Sequence, residues 1–231
     1  MILIENLTKK YEDKEALNIP KLSIKKGEKF GLVGNNGAGK TTLFNLILDL
    51  VKPNSGQVLN NDIAVNKSEA WKKHTAAFID ESFLIGYLTP EEYLYFVGQL
   101  RGVNESRVDG WLEQFQVFFN DEVLGQKKYI RNLSKGNQKK VGLVSTFLGN
   151  PDCVVLDEPF ANLDHSSQIC LKDIIKKQIE NHNTTFLISS HDLNHVTDVC
   201  ERIVLLEKGL PIKDLTTDSD TFGQLEAYFK A

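Results

Sequence analysis

Hydrophobic positions along the chain form short blocks that alternate between strand and helix periodicity, separated by polar or glycine-rich turns. The start is β-rich: residues 2–7, 16–19, 22–24 and 29–33 read as short strands. A helix is predicted over residues 41–50, with Leu43, Phe44, Leu46, Ile47 and Leu50 on its apolar face. After the turn Pro53-Asn54-Ser55-Gly56, residues 57–59 and 74–79 read as strands. Thr89-Pro90-Glu91-Glu92 then opens a helix, with Thr as cap, Pro at the first position and Glu at the third. Its inner face is read as Tyr93, Leu94, Phe96, Val97 and Leu100. Val108, Trp111, Leu112, Phe115 and Phe119 predict a second helix over 105–119, and a third follows Leu133-Ser134-Lys135-Gly136-Asn137-Gln138 and runs to Leu148.

Residues 153–156 are a continuous apolar run, as a central parallel strand buried on both faces requires, and residues 185–190 read as the next buried strand. Between them lies a helix from Asp164 to about 180, striped by Ile169, Leu171, Ile174, Ile175 and Ile179. Residues 203–206 and 210–212 form a hairpin through Lys208-Gly209, and the tail from 216 is polar, then weakly helical. This alternation predicts an α/β fold. The expected division is one domain over 1–231: a core from 1–83 and 149–231, and a helical insertion over 84–148.

Composition changes this picture little. The 231 residues suffice for one sizeable core, and 41% hydrophobic with 25% charged residues is an ordinary globular balance. The net charge of −4 leads us to expect no nucleic-acid partner. Cys153, Cys170 and Cys200 are scattered without metal-ligand spacing and read as small buried hydrophobes in a reducing compartment. Met1-Ile2-Leu3-Ile4 enters a strand directly, so no signal peptide is expected, and no apolar run approaches membrane-spanning length. We therefore expect a soluble protein whose membrane role, if any, runs through a partner.

The strongest chemical signal is Gly34-Asn35-Asn36-Gly37-Ala38-Gly39-Lys40-Thr41, followed by Thr42, between a predicted strand and a predicted helix. In such a phosphate loop, glycines let successive N–H groups converge on phosphate oxygens, and the helix N-terminus adds partial positive charge. Lys40 can reach the β- and γ-phosphates, and the Thr41 hydroxyl can bind Mg²⁺. Asp157-Glu158 ends a buried strand, where ligands of open α/β sheets bind. Asp157 is a Mg²⁺ ligand candidate and Glu158 a candidate base for water. His191 ends the next buried strand and is assigned to the same site. Tyr11, in a predicted turn over 8–15, is a candidate platform for a base. Residues 123–151 hold six basic residues and no acidic one, which reads equally as a solvated face or as an anion site at a helix N-terminus.

Taken in order, these motifs resemble the nucleotide-binding domain of ABC transporters over nearly the whole chain. Tyr11 is similar to the family's adenine-stacking aromatic, residues 34–42 to Walker A, and residues 153–158 to Walker B with its catalytic Glu. Leu133-Ser134-Lys135-Gly136-Asn137-Gln138 resembles the signature, Ala161-Asn162-Leu163-Asp164 the D-loop, and His191 the switch histidine. Two departures stand out: the signature differs at Lys135 and Asn137, and Asp80 (or Glu81, one residue on) takes the place of the Q-loop glutamine.

The resemblance implies a RecA-like phosphate-loop NTPase core with an N-terminal antiparallel β subdomain and an α-helical insertion. It implies ATP as substrate, Mg²⁺ held by Thr41, Asp80 and Asp157, and catalysis by Lys40, Glu158 and His191. It also implies a second such domain, identical or related, whose signature covers the ATP. A separate permease would dock near Asp80–Tyr95 and hold the chain on the cytoplasmic face of the membrane. An assembly or regulatory ATPase without a permease is the alternative.

Overall fold

The computed structural model describes residues 2–230. In chain order, the first part contains β1 (Ile2–Tyr11), β2 (Lys14–Ile24), β3 (Lys29–Val33), α1 (Lys40–Ile47), β4 (Ser55–Asn60), β5 (Ile63–Ala64) and β6 (Thr75–Phe78). Four helices follow: α2 (Pro90–Leu100), α3 (Glu105–Leu112), α4 (Gln116–Phe119) and α5 (Lys135–Phe147). The chain then forms β7 (Cys153–Leu156), α6 (His165–His182), β8 (Thr185–Ser190), α7 (Leu193–Val199), β9 (Arg202–Glu207), β10 (Leu210–Thr216) and α8 (Thr221–Lys230).

Two sheets frame the molecule. An antiparallel sheet has the order β2-β1-β4-β5, and a six-stranded sheet the order β10-β9-β3-β8-β7-β6. All neighbours in the second sheet are parallel except β10, which returns antiparallel beside β9. Successive side chains on a strand point to opposite faces, and both faces of this sheet are covered. On one face, Phe30, Leu32, Val155, Leu187, Val204 and Leu206 pack with α1 and the antiparallel sheet. On the other, Val33, Phe78, Val154, Leu156, Phe186 and Ile188 share one core with Leu94, Val108, Phe115 and Val144 of the helices.

The strands expected over 29–33, 153–156 and 185–190 form with those bounds. The capping box at α2 forms too: Thr89 Oγ1 accepts from Glu92 N at 3.3 Å, and Glu92 Oε2 accepts from Thr89 N at 2.8 Å.

Other expectations need correction. Residues 16–24 form one strand rather than two, because β2 lies at a sheet edge where exposed Pro20 removes no ladder bond. Tyr11 ends β1 opposite Lys14, so the turn is only Glu12-Asp13. The helix over 105–119 is divided: a 3₁₀ turn at Glu113–Phe115 separates α3 from α4 and brings the Trp111 and Phe115 rings to 4.3 Å. Leu50 lies beyond the end of α1 and is exposed, as is Ile169 on α6. On α2, Phe96 and Leu100 point outward, Leu100 being 72% exposed. The buried stripe there is Pro90, Leu94 and Gly98. A Cβ at residue 98 would come within 2.6 Å of Val108. The inward position is therefore marked by a missing side chain, which a hydrophobic pattern does not register.

A similar contact joins α5 to the sheet, where a Cβ on Gly142 would meet the Phe78 ring at 2.1 Å. We expect Gly142→Ala to cost about 1–3 kcal/mol by overpacking. Urea unfolding will measure it, and an unchanged midpoint would show that α5 can retreat from β6.

Candidate functional site

The carboxyl ends of β3, β8 and β7 lie side by side, with Val33 paired to Ser190 and Leu156 to Ile188. Each delivers a polar residue to one rim. β3 runs into the loop 34–39, where Gly34 and Gly39 have φ of 159° and 108°. A Cβ at Gly39 would meet the Ala16 carbonyl oxygen at 2.8 Å, so both backbone conformation and space require glycine. Gly39 caps α1. Lys40, the first residue of that helix, is buried and folds back so that its Nζ donates to the Gly34 carbonyl at 2.7 Å.

The charged residues form one connected set. Lys40 Nζ lies 3.4 Å from Glu158 Oε1. Glu158 Oε2 lies 2.8 Å from His191 Nδ1 and accepts from the His191 N–H at 3.3 Å. Thr41 Oγ1 donates to Asp157 Oδ2 at 2.5 Å. Ser189 Oγ donates to the other Asp157 oxygen and accepts from the Glu158 N–H at 2.9 Å. Burial pushes the Asp157 carboxyl above its ordinary value, and the Ser189 and Thr41 hydroxyls oppose that shift. Glu158 sits at φ 48°, in the left-handed region.

Of this set Lys40, Thr41 and Glu158 line a cavity of about 430 Å³, together with Tyr11, Lys14 and Lys208, while Asp157, Ser189 and His191 are not part of its lining. Tyr11 is exposed there, with Lys9 Nζ 4.9 Å from its ring centroid. The geometry can hold a polyphosphate on loop N–H groups and Lys40, with a carboxylate 3.4 Å from that lysine. Among the described residues no group of three or more His, Cys, Asp or Glu could hold a metal by itself. One hydroxyl and one buried carboxylate in contact beside the loop fit Mg²⁺, which takes few protein ligands and completes its shell with water and substrate phosphates.

Asp80 stands apart from this pair. Its carboxylate accepts from Ser82 N at 2.6 Å and caps the 3₁₀ turn Glu81–Phe83. Its neighbour Glu81 is the one joined to the site, through Lys139 at 3.8 Å, whose Nζ donates to the Glu158 carbonyl at 2.9 Å.

Residues 133–138 do not line the cavity. Ser134 caps α5, its Oγ accepting from Asn137 N at 3.2 Å. Gln138 Nε2 donates to the Leu133 carbonyl at 2.9 Å, and a Cβ at Gly136 would meet the Asn162 carbonyl oxygen at 2.9 Å. Lys135 is exposed. Asp164 caps α6, and hydrogen bonds from Ser166 and Ser167 hold its carboxyl well below the ordinary carboxylate range. Ser189, Lys139 and Lys208 were not found from the sequence. Only Ser189 left a signal there, a hydroxyl near the end of the predicted buried strand that carries His191.

The fold and this rim define a nucleotide-binding cassette, and the comparisons agree. The ABC transporter family model matches residues 17–161, and the chain belongs to that family. An uncharacterised ABC transporter ATP-binding protein of Methanocaldococcus jannaschii is 32% identical over 90% of this chain and 74% of that relative. The ABC transporter ATP-binding protein NatA of Bacillus subtilis is 28% identical over 90% of this chain and 87% of its own. An ATP-binding subunit of an ABC transporter superposes with a TM-score of 0.87 at 26% identity, covering 100% of this chain and 98% of that one. A dimeric cassette in a post-hydrolysis state bound to ADP and Pi gives 0.82 at 25%, covering 95% and 100%. The chain is an ATP-binding, ATP-hydrolysing cassette of the ABC type.

The raised Asp157 value has a pH signature. The cost of ionising the buried carboxyl is absent below the ordinary carboxylate range and complete once pH exceeds the raised value. Without nucleotide, Asp157→Asn is expected to be more stable than the wild type at pH 8, with the advantage shrinking toward pH 4. Urea unfolding at both pH values checks this, and a gap independent of pH would contradict it.

Proposed function

We propose that the chain is the ATP-hydrolysing subunit of a membrane transporter whose permease is a separate chain. Two cassettes, identical or related, pair head to tail so that each ATP lies between one chain's phosphate loop and the other's residues 133–138. The observation that carries the catalytic reading is the unbroken set of contacts through Thr41, Asp157, Ser189, Glu158, His191 and Lys40 on one sheet rim.

In this reading Tyr11 stacks on the adenine, and the N–H groups of residues 34–42 cradle the phosphates. Glu158 takes the proton of the attacking water as its oxygen bonds to the γ-phosphorus, the bond to the β–γ bridging oxygen breaks, and ADP leaves with that oxygen. His191 holds Glu158 and the γ-phosphate in line. Lys40 leaves the Gly34 carbonyl to neutralise charge developing on the β- and γ-oxygens. Thr41 and Asp157 hold Mg²⁺, which when bound supplies further charge neutralisation at the phosphates. Asp80 remains the third metal-site candidate, with Glu81 beside it. Ser134 and Gly136, at the free N-terminus of α5, meet the partner's γ-phosphate, and Asp164 steadies the loop between the two sites.

Coupling to a membrane partner is supported by an apolar groove of about 280 Å³ between β6 and α2. Its lining includes Leu50, Trp71, Phe83, Leu84 and Tyr93, and Phe83 is 58% exposed. Among the described residues no helix is long and apolar enough to cross a membrane. Phe83, Leu84 and Tyr93 of its lining belong to the predicted docking stretch, and a short helix of a permease loop suits the groove's size and apolar lining. In this reading the docked chain sits on the cytoplasmic face of the membrane.

Glu158→Gln is expected to bind ATP with near wild-type affinity, to hydrolyse it about a hundred-fold or more slowly and to accumulate as an ATP-bound dimer. Phosphate release and size-exclusion chromatography measure this, and near-normal turnover would remove Glu158 from the role of base. Phe83→Asp should leave the basal ATPase of the isolated chain intact while abolishing its recovery with membranes. Undiminished membrane recovery would instead favour a reading without a permease docked in this groove.

A further inference from the structure

Lys139 is 5% exposed and lies on α5, one turn beyond Ser134-Lys135-Gly136. A buried ammonium needs compensating partners to be tolerated. Here its hydrogen bond goes to a neutral acceptor, the Glu158 carbonyl at 2.9 Å, and the carboxylate paired with it is Glu81 at 3.8 Å. That Glu81 oxygen is itself buried without a hydrogen-bond partner. The Phe78 ring completes the enclosure, its centroid 5.9 Å from Nζ.

The acceptor is in an unusual place. Glu158 has a φ of 48°, which a residue with a side chain adopts only when its surroundings impose it. Both of its backbone polar groups are held: Ser189 Oγ accepts from the N–H at 2.9 Å, and the carbonyl accepts from Lys139 Nζ at 2.9 Å and more distantly from the Ala161 N–H at 3.3 Å. With the backbone so fixed, the carboxylate reaches Lys40 and His191 together.

We propose that Lys139 is a positioning residue for hydrolysis: its ammonium locks the Glu158 backbone and links it to Glu81, so the aim of the base follows the position of α5. The inference rests on Glu158 being the base, as proposed above. It gives α5 two tasks in one chain. Its N-terminus serves the partner's nucleotide, and its second turn sets the geometry of its own chain's Glu158. Gly136, packed against the Asn162 carbonyl, brings the same helix against the segment that follows Glu158.

The test is steady-state hydrolysis by the full chain, with a fluorescent ATP analogue to report binding. Lys139→Met is expected to lower kcat about ten- to a hundred-fold, the size of a lost charge-assisted hydrogen bond. KM and analogue affinity should stay within about two-fold, the thermal midpoint should fall because Glu81 loses its ion-pair partner, and Lys139→Arg should recover most of the rate. If Lys139→Met does not fold, Lys139→Gln keeps a neutral amide there, and the same fall in kcat at unchanged KM is expected of it. A kcat within about two-fold of wild type in the folded variant would overturn the proposal. So would a joint loss of kcat, KM and thermal midpoint in the Met and Arg variants alike. A wild-type chain without turnover would overturn the reading of the site as well, and an active wild type separates the two failures.

Discussion

A sheet covered on both faces leaves polar groups almost nowhere to go except its ends, and that constraint shapes this molecule. The inner strands of the six-stranded sheet contribute Phe30, Leu32, Val154, Val155, Phe186 and Leu187 to two separate cores. Chemistry is therefore confined to the residues that follow the last apolar position of each strand, at the carboxyl rim. Because β3, β8 and β7 are neighbours, the loop after Val33, the carboxylates after Leu156 and the histidine after Ser190 come into contact. One acid even begins inside the covered layer. Asp157 is tolerated because the Ser189 and Thr41 hydroxyls satisfy its two oxygens.

The same rim explains how a small number of side chains accomplishes a good deal. Ser189 serves Asp157 with its proton and Glu158 with its lone pair. Lys40, whose loop is held open by glycines, rests on its own loop carbonyl and on Glu158. These contacts give a compact cationic and acidic cluster beside a cavity, from which Lys40 has only to exchange its loop carbonyl for phosphate oxygens. The residues at the start of α5 face elsewhere on the chain, which is why a paired cassette forms part of the functional reading.

Legibility in the sequence followed the reach of each signal. Gly34 to Thr42, Asp157-Glu158 and His191 stand out in the sequence because each follows a segment that reads as a buried strand, and the structure brings them to one rim. The inward face of α2 was misread at Phe96 and Leu100 because close packing there is achieved by Gly98. Spacing leaves Asp80 or Glu81 for the Q-loop place; one Asp80 oxygen accepts from the Ser82 N–H, and Glu81 is the neighbour that reaches Lys139. Spacing along a chain does not say which of two adjacent carboxylates turns inward.

What the sequence determined by itself was therefore local: the alternation of strand and helix, the capped start of α2, the phosphate loop, and the acids and histidine that end the buried strands. What only the tertiary structure decided was which distant groups share an environment. Lys139 read as one charge in a basic stretch, but the packing of α5 on β6 buries it against Glu158 and Glu81. Ser189 is one residue of a predicted buried strand, but the pairing of β7 with β8 makes it the link between two acids. The physical reason is that desolvation and hydrogen-bond geometry depend on neighbours tens of residues away in sequence, while periodicity and motif report only on what is adjacent.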